Sequence, residues 1–173
     1  MIRVYEWEKE DHSPLDLRLV EARARSGNAE ANCAMADFYM RGRYHYEKNS
    51  AKAMRFLDEA MGKRYPQSYY IYAEWLMDPT LNKRIDYNKA VKFYERSADL
   101  GFGRGMARVG EAFLRGWGVD INYVAAEEWL IRSHSLEARG PLLELADIIE
   151  KENNRHEDAK RLREIAASYK NNP

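Results

Sequence analysis

The chain has 173 residues, and its 28 Lys and Arg residues balance its 28 Asp and Glu residues, so its formal net charge is zero. This balance argues against nucleic-acid-binding and membrane-surface proteins, which need a basic field. Hydrophobic residues make up 45% of the chain and charged residues 32%, which is typical of a folded protein rather than a disordered one. Cys33 is the only cysteine, which excludes an internal disulfide and fits a reducing compartment.

The N-terminal segment, residues 1–27, is predicted to contain one capping helix. Residues 1–10 lack the apolar core of a secretory signal, and no apolar run in the chain approaches transmembrane length. We therefore expect a cytoplasmic protein without a membrane partner. Residues 2–4 have a short strand-like alternation, and Ser13-Pro14 is typical of the start of a helix that ends near Gly27.

A repeated pattern follows this segment. A small residue, preceded by a bulky residue and followed three positions later by another, recurs at steps of 37, 37 and 36 residues: Ala36, Ala73, Gly110 and Ala146. A large–small–large face lets two helices approach closely and interdigitate. The pattern predicts the first helix of four two-helix units.

A second column of small residues marks the second helix of each unit: Ala53, Ala90, Ala126 and Ala159. A bulky residue stands three positions after each of them, and a small one follows four positions later, which places the set on one helical face. Together the two columns predict helices over residues 14–26, 29–41, 50–62, 66–77, 87–100, 103–114, 123–135, 138–150 and 156–169. The array at 28–169 divides into units at about 28–64, 65–101, 102–136 and 137–169, followed by a frayed tail at 170–173, all in one domain.

Glycine and proline punctuate these helices. We expect Gly27, Gly62 and Gly101 to end helices in the left-handed conformation that glycine adopts without strain. Pro66 and Pro141 fall in the first turn of a helix, where the missing N–H costs nothing.

The motifs of the two central units resemble those of the Sel-one-like repeat (SLR) family, which is related to the tetratricopeptide repeats. Gly116-Trp117-Gly118-Val119 matches the family's glycine turn, and Asp86 to Ala90 matches the start of its second helix. The resemblance covers residues 28–166. It implies an all-α solenoid of about four antiparallel helix pairs, which the extra N-terminal helix precedes, and a role as an adaptor, scaffold or binding partner. The fourth unit lacks the turn glycines and reads like a capping unit.

The same resemblance implies that first helices bind the partner with the face that is not packed inward. Nine residues are expected on that face: Asp37, Met40, Tyr70, Glu74, Met77, Arg104, Glu111, Arg115 and Asp147.

One column of this face is acidic in all four units: Asp37, Glu74, Glu111 and Asp147. At a helix spacing of about 10 Å, repulsion between neighbouring carboxylates in water is only about 0.4 kcal/mol, so a line of them is tolerable. The column favours a protein partner with a basic surface. Two other interpretations stay open: the column is a chance run of solvated acids, or Arg104 and Arg115 pair with the acids and cancel their field.

No enzyme signature is present. The four histidines are scattered without metal-ligand spacing, and the glycines of residues 101–105 read as a helix stop and restart rather than a phosphate loop. We therefore expect no catalytic residue, cofactor or metal, and no nucleic-acid partner. The leading hypothesis is a bacterial immunity protein or toxin inhibitor that neutralises a basic toxin such as a nuclease. The alternative is an adaptor or scaffold that tethers a signalling or assembly partner; either would be a monomer or a homodimer.

Overall fold

The computed structural model describes residues 14–81, 84–153 and 155–169, and over these residues it is all-helical. Its α-helices are α1 Pro14–Arg25, α2 Ala29–Arg41, α3 Ser50–Gly62, α4 Pro66–Met77, α5 Tyr87–Asp99, α6 Gly103–Arg115, α7 Tyr123–Ser133, α8 Arg139–Asn153 and α9 His156–Ser168. Each predicted helix is confirmed to within three residues at either end. The strand-like residues 2–4 and the tail at 170–173 lie outside the described residues.

The described helices fall into two compact units, divided between Ile71 and Tyr72. In the first unit, α2 packs against α1 and α3. Apolar side chains of α1 and α2, among them Leu17, Met35 and Phe38, form its core. The small residues Ala36 and Ala53 are fully buried, as their columns predicted.

In the second unit, α6 packs against α5 and α7, and α8 packs against α9. The core contains Leu130, Leu142, Leu145 and Leu162, all fully buried. Small residues set the distance between α6 and α7. A Cβ at Gly110 would lie 2.7 Å from Leu130 Cγ and 3.0 Å from the Leu130 backbone nitrogen, so only glycine fits there.

Helix ends follow a repeated pattern. The side chains of Asn28, Asn49, Asp86 and Asn122 accept hydrogen bonds from backbone N–H groups in the first turns of α2, α3, α5 and α7. Such caps satisfy N–H groups that have no partner within the helix.

The left-handed residues agree with the sequence in most places. Gly27, Gly42, Gly101, Gly116 and Gly118 all have positive φ. The prediction for Gly62 was wrong, because Gly62 is the last residue of α3 itself. The left-handed conformation falls instead on Arg64, with φ of 55°.

Replacing Gly110 by alanine tests the close approach of α6 and α7. The added methyl group overpacks against Leu130, and the free energy of unfolding is expected to fall by about 1–3 kcal/mol in urea titrations. Gly140→Ala is the matched control, since a Cβ at Gly140 meets nothing within 4 Å. The control is expected to change stability little, or to raise it by up to about 1 kcal/mol through helix propensity. Equal effects of the two changes would contradict this packing.

Candidate protein-binding face

In the second compact unit, arginine side chains link the first helices of successive repeats, α4, α6 and α8. Glu74 on α4 accepts a hydrogen bond from Arg108 Nε on α6 at 3.0 Å and another from the Tyr94 hydroxyl at 2.6 Å. Arg108 Nη1 also donates to Glu111 Oε2 at 2.8 Å, within α6. One guanidinium therefore joins two of the acidic residues that the sequence analysis singled out.

A second arginine continues the network from α6 to α8. Arg115 Nη2 lies 3.3 Å from Glu111 Oε1 and 2.8 Å from Glu144 Oε2. Because Arg108 and Arg115 each contact one of its oxygens, Glu111 is held on both sides, and only 10% of its side chain is exposed. Burial of a carboxylate at this depth requires such partners.

Further acids lie on the next turns of α8. Arg163 on α9 donates to Asp147 Oδ1 at 2.8 Å and also to Glu150. His156 Nδ1 lies 3.2 Å from Glu150 Oε1. The hydrogen bonds from Arg163 and His156 hold the pKa of Glu150 below its usual range.

Arg104 and Glu137 form a further ion pair beside this network. Burial raises the pKa of Glu137, although Arg104 opposes the shift. We call the ion-paired residues of α4, α6 and α8 and their partners the binding face: Glu74, Arg104, Arg108, Glu111, Arg115, Glu137, Glu144, Asp147, Glu150 and Arg163. Six carboxylates stand against four arginines, so the face carries negative charge.

All four acids of the predicted column are paired with arginine. In the first unit, Asp37 lies 2.9 Å from Arg41 Nε and 3.1 Å from Arg43 Nη1. Arg115 pairs with a column acid, as one open interpretation had it, and Arg104 pairs with Glu137. The column is therefore a set of ion pairs rather than a line of bare carboxylates.

The other predicted residues differ in exposure. Met40 and Tyr70 are buried, and Met77 is half-buried. The expected division of α2 into a buried face and an exposed face does not hold. Eight of its thirteen residues are buried, because neighbouring elements cover most of its circumference. Asp147, in contrast, leaves 59% of its side chain exposed.

Sequence reasoning missed Arg108 and Arg163. The spacing of Arg108 three residues before Glu111 on one helix was a usable signal, because such residues are neighbours on a helical surface. Nothing in the spacing of Arg163 connects it with Asp147, since the two lie on different helices and meet only through packing of α8 on α9.

The described residues were compared with what a metal site, a reactive thiol or a membrane-spanning helix requires. No group of three or more His, Cys, Asp or Glu side chains among them is arranged to hold a metal ion. The Cys33 thiol is fully buried, and this burial raises its pKa. Among the helices described, none is long and apolar enough to cross a membrane.

Comparison with known families decides what this array of helix pairs is. The family model described as Sel1 repeat matches residues 29–60, 66–102 and 103–133, which together make up more than half of the chain. The chain belongs to the Sel1 repeat family. Among curated proteins, no relative matches the sequence.

Two solved structures share the Sel1 repeat fold. A Sel1 repeat protein from Oxalobacter formigenes has a TM-score of 0.71 and 20% identity, over 89% of this chain and 64% of its own. The protective antigen c5321 of uropathogenic Escherichia coli strains, which displays an SLR fold, has a TM-score of 0.73 and 20% identity, over 90% of this chain and 33% of its own. This chain therefore spans less than two thirds of either, and the likeness concerns the fold alone.

The expected all-α solenoid of Sel1 repeats is thereby confirmed. Sel1 repeats mediate protein–protein interactions, so the array is a protein-interaction module.

Arg108→Gln tests the centre of the binding face. The change leaves Glu74 and the buried Glu111 with fewer cationic partners, and the free energy of unfolding is expected to fall by about 1–3 kcal/mol. Arg96→Gln, at an exposed position of α5, serves as the control and is expected to change stability by no more than about 0.5 kcal/mol. A loss no larger for Arg108→Gln than for the control would show that the network does not hold these helices.

Proposed function

We propose that this Sel1 repeat array binds a basic surface of a protein partner through its binding face, and that it acts as an immunity-type inhibitor that neutralises a toxin. The observation that carries the binding proposal is the charge of that face, where six carboxylates stand against four arginines. The inhibitor role is the finer part of the proposal and rests on it.

The exposed side chains of α8 make this helix the part of the binding face that a partner contacts most easily. The side chains of Glu144 and Asp147 are 43% and 59% exposed, although each already contacts an arginine. Exposed ion pairs contribute only about 0.2–1 kcal/mol each, so a partner's Lys or Arg can compete for these carboxylates at small cost. Exposed Leu143 on the same helix adds apolar surface beside them.

The negative charge of the binding face is expected mainly to raise the rate at which the chain and a basic partner associate. Complementary potentials raise association rates and disfavour like-charged partners, while affinity depends on the packed centre of the interface. An inhibitor needs only such a one-to-one association over an interface of about 1,600 Å². No reaction at the face is required.

Charge reversal on α8 tests the binding proposal. The partner is first captured from cells that express the chain and is then purified. With Glu144→Lys and Asp147→Lys combined, association with this partner is expected to slow by about tenfold at low salt, and its salt dependence to weaken. Stopped-flow measurement at several salt concentrations gives both values.

The matched control reverses two exposed acids outside the face, Glu128 on α7 and Glu164 on α9. Its association rate is expected to stay within about twofold of the parent chain, because long-range charge is altered equally but the face is intact. A partner without a basic surface, or equal slowing by the two double variants, would contradict the binding proposal.

Co-expression tests the inhibitor role separately. The captured partner alone is expected to arrest growth, and co-expression with the intact chain to restore it. A harmless partner that keeps its activity in the complex would contradict inhibition and favour the adaptor hypothesis, while leaving the binding face supported.

A further inference from the structure

A pocket in the first compact unit differs from the binding face in charge. It has a volume of about 200 Å³, and Tyr39 of α2 and four residues of α3 line it: Lys52, Arg55, Phe56 and Glu59. The α3 residues follow one another at offsets of 3, 4 and 7, which places them on one face of the helix. We call this cavity the α3 pocket.

Its aromatic wall is fixed. The rings of Tyr39 and Phe56 lie 5.9 Å apart between centroids and are nearly parallel, at 10°. Tyr39 also meets Tyr46 edge to face at 5.1 Å, and its carbonyl accepts a hydrogen bond from the Asn49 N–H at 2.8 Å. Since these contacts already order the wall, little entropy is lost when a ligand packs against it.

Among the residues that the structure describes, no carboxylate forms an ion pair with the two cations of the pocket. Lys52 Nζ lies 5.1 Å from the centre of the Tyr39 ring, and within residues 14–81, 84–153 and 155–169 neither it nor Arg55 forms an ion pair. Glu59, the one acid of the pocket, accepts a hydrogen bond from the buried Asn32 Nδ2 at 3.1 Å. The pocket thus offers two available cations and one partly engaged carboxylate, whereas every arginine of the binding face is paired.

Size and chemistry together select the ligand class. The volume is smaller than the roughly 300–1,000 Å³ of sites for cofactors and drug-sized molecules, so the pocket accommodates one or two side chains. An aromatic wall suits a ring, and an ammonium and a guanidinium suit carboxylates. We propose that the α3 pocket binds an acidic peptide segment of a protein partner, with an aromatic side chain against Tyr39 and Phe56 and flanking carboxylates at Lys52 and Arg55. This site lies outside the binding face and does not depend on the proposed inhibitor role.

A short synthetic peptide tests the proposal on the full chain. The probe is Gly-Glu-Phe-Glu-Gly, acetylated and amidated, titrated at low salt into the ¹⁵N-labelled protein. Saturable amide shift changes are expected at Tyr39 and along α3 from Lys52 to Glu59. Two comparison peptides, with Gln or Lys in place of Glu, are expected to bind at least about fivefold more weakly.

Substitutions of Lys52 and Arg55 test whether these two side chains bind the carboxylates of the peptide. Lys52→Gln combined with Arg55→Gln is expected to weaken the probe by roughly five- to tenfold, and both positions are exposed, so the fold is retained. Arg18→Gln, an exposed cation of α1, is the control and is expected to leave the affinity unchanged. The proposal is overturned by shift changes confined to other helices, by equal binding of the Gln or Lys peptide, or by a double variant that binds like the control.

Discussion

The two helices of a repeat pack at a distance that only small residues allow. Ala36 and Ala146 are fully buried, and at Gly110 even a methyl group would collide with Leu130. Where a helix carries a hydrogen or a methyl group, its partner's leucine can enter, so the helices pack as interdigitated pairs. This packing brings first helices of neighbouring repeats within reach of one arginine side chain, and the binding face follows from that.

Much of this fold could be predicted because packing is recorded in the spacing of small and large residues. A step of 36 or 37 residues between Ala36, Ala73, Gly110 and Ala146 reflects one packing unit repeated along the chain. Several helix ends could also be predicted, because glycine adopts the left-handed conformation at a helix end without strain. Arg64 shows the limit of this reasoning, because a non-glycine residue in that conformation leaves no sign in the sequence.

The binding face was predictable only in part. Three of its six acids, Glu74, Glu111 and Asp147, belong to a column that a packing role does not explain. Glu137, Glu144 and Glu150 lie outside that column, and the cross-helix partners depend on how helices meet in space. Arg108 reaches Glu74 across α6 and α4, and Arg163 reaches Asp147 across α9 and α8, so these two cross-helix pairs join positions that have no fixed offset in the sequence. Met40 and Tyr70 are buried and do not belong to the face, for a related reason. The burial of a residue depends on every neighbour of its helix, whereas the hydrophobic periodicity of the sequence indicates only the side that packs on the main partner helix.

We propose that a basic partner covers the first helices of the second unit and contacts their paired carboxylates. Amide hydrogen exchange of the chain, free and in complex with its purified partner, locates the covered helices. The structure predicts slowed exchange, on binding, in α6 and in the exposed turns of α8 from Leu143 to Glu150, with α7 and α5 unchanged. Protection confined to α5 and α7, with α6 and α8 exchanging as in the free chain, would contradict it.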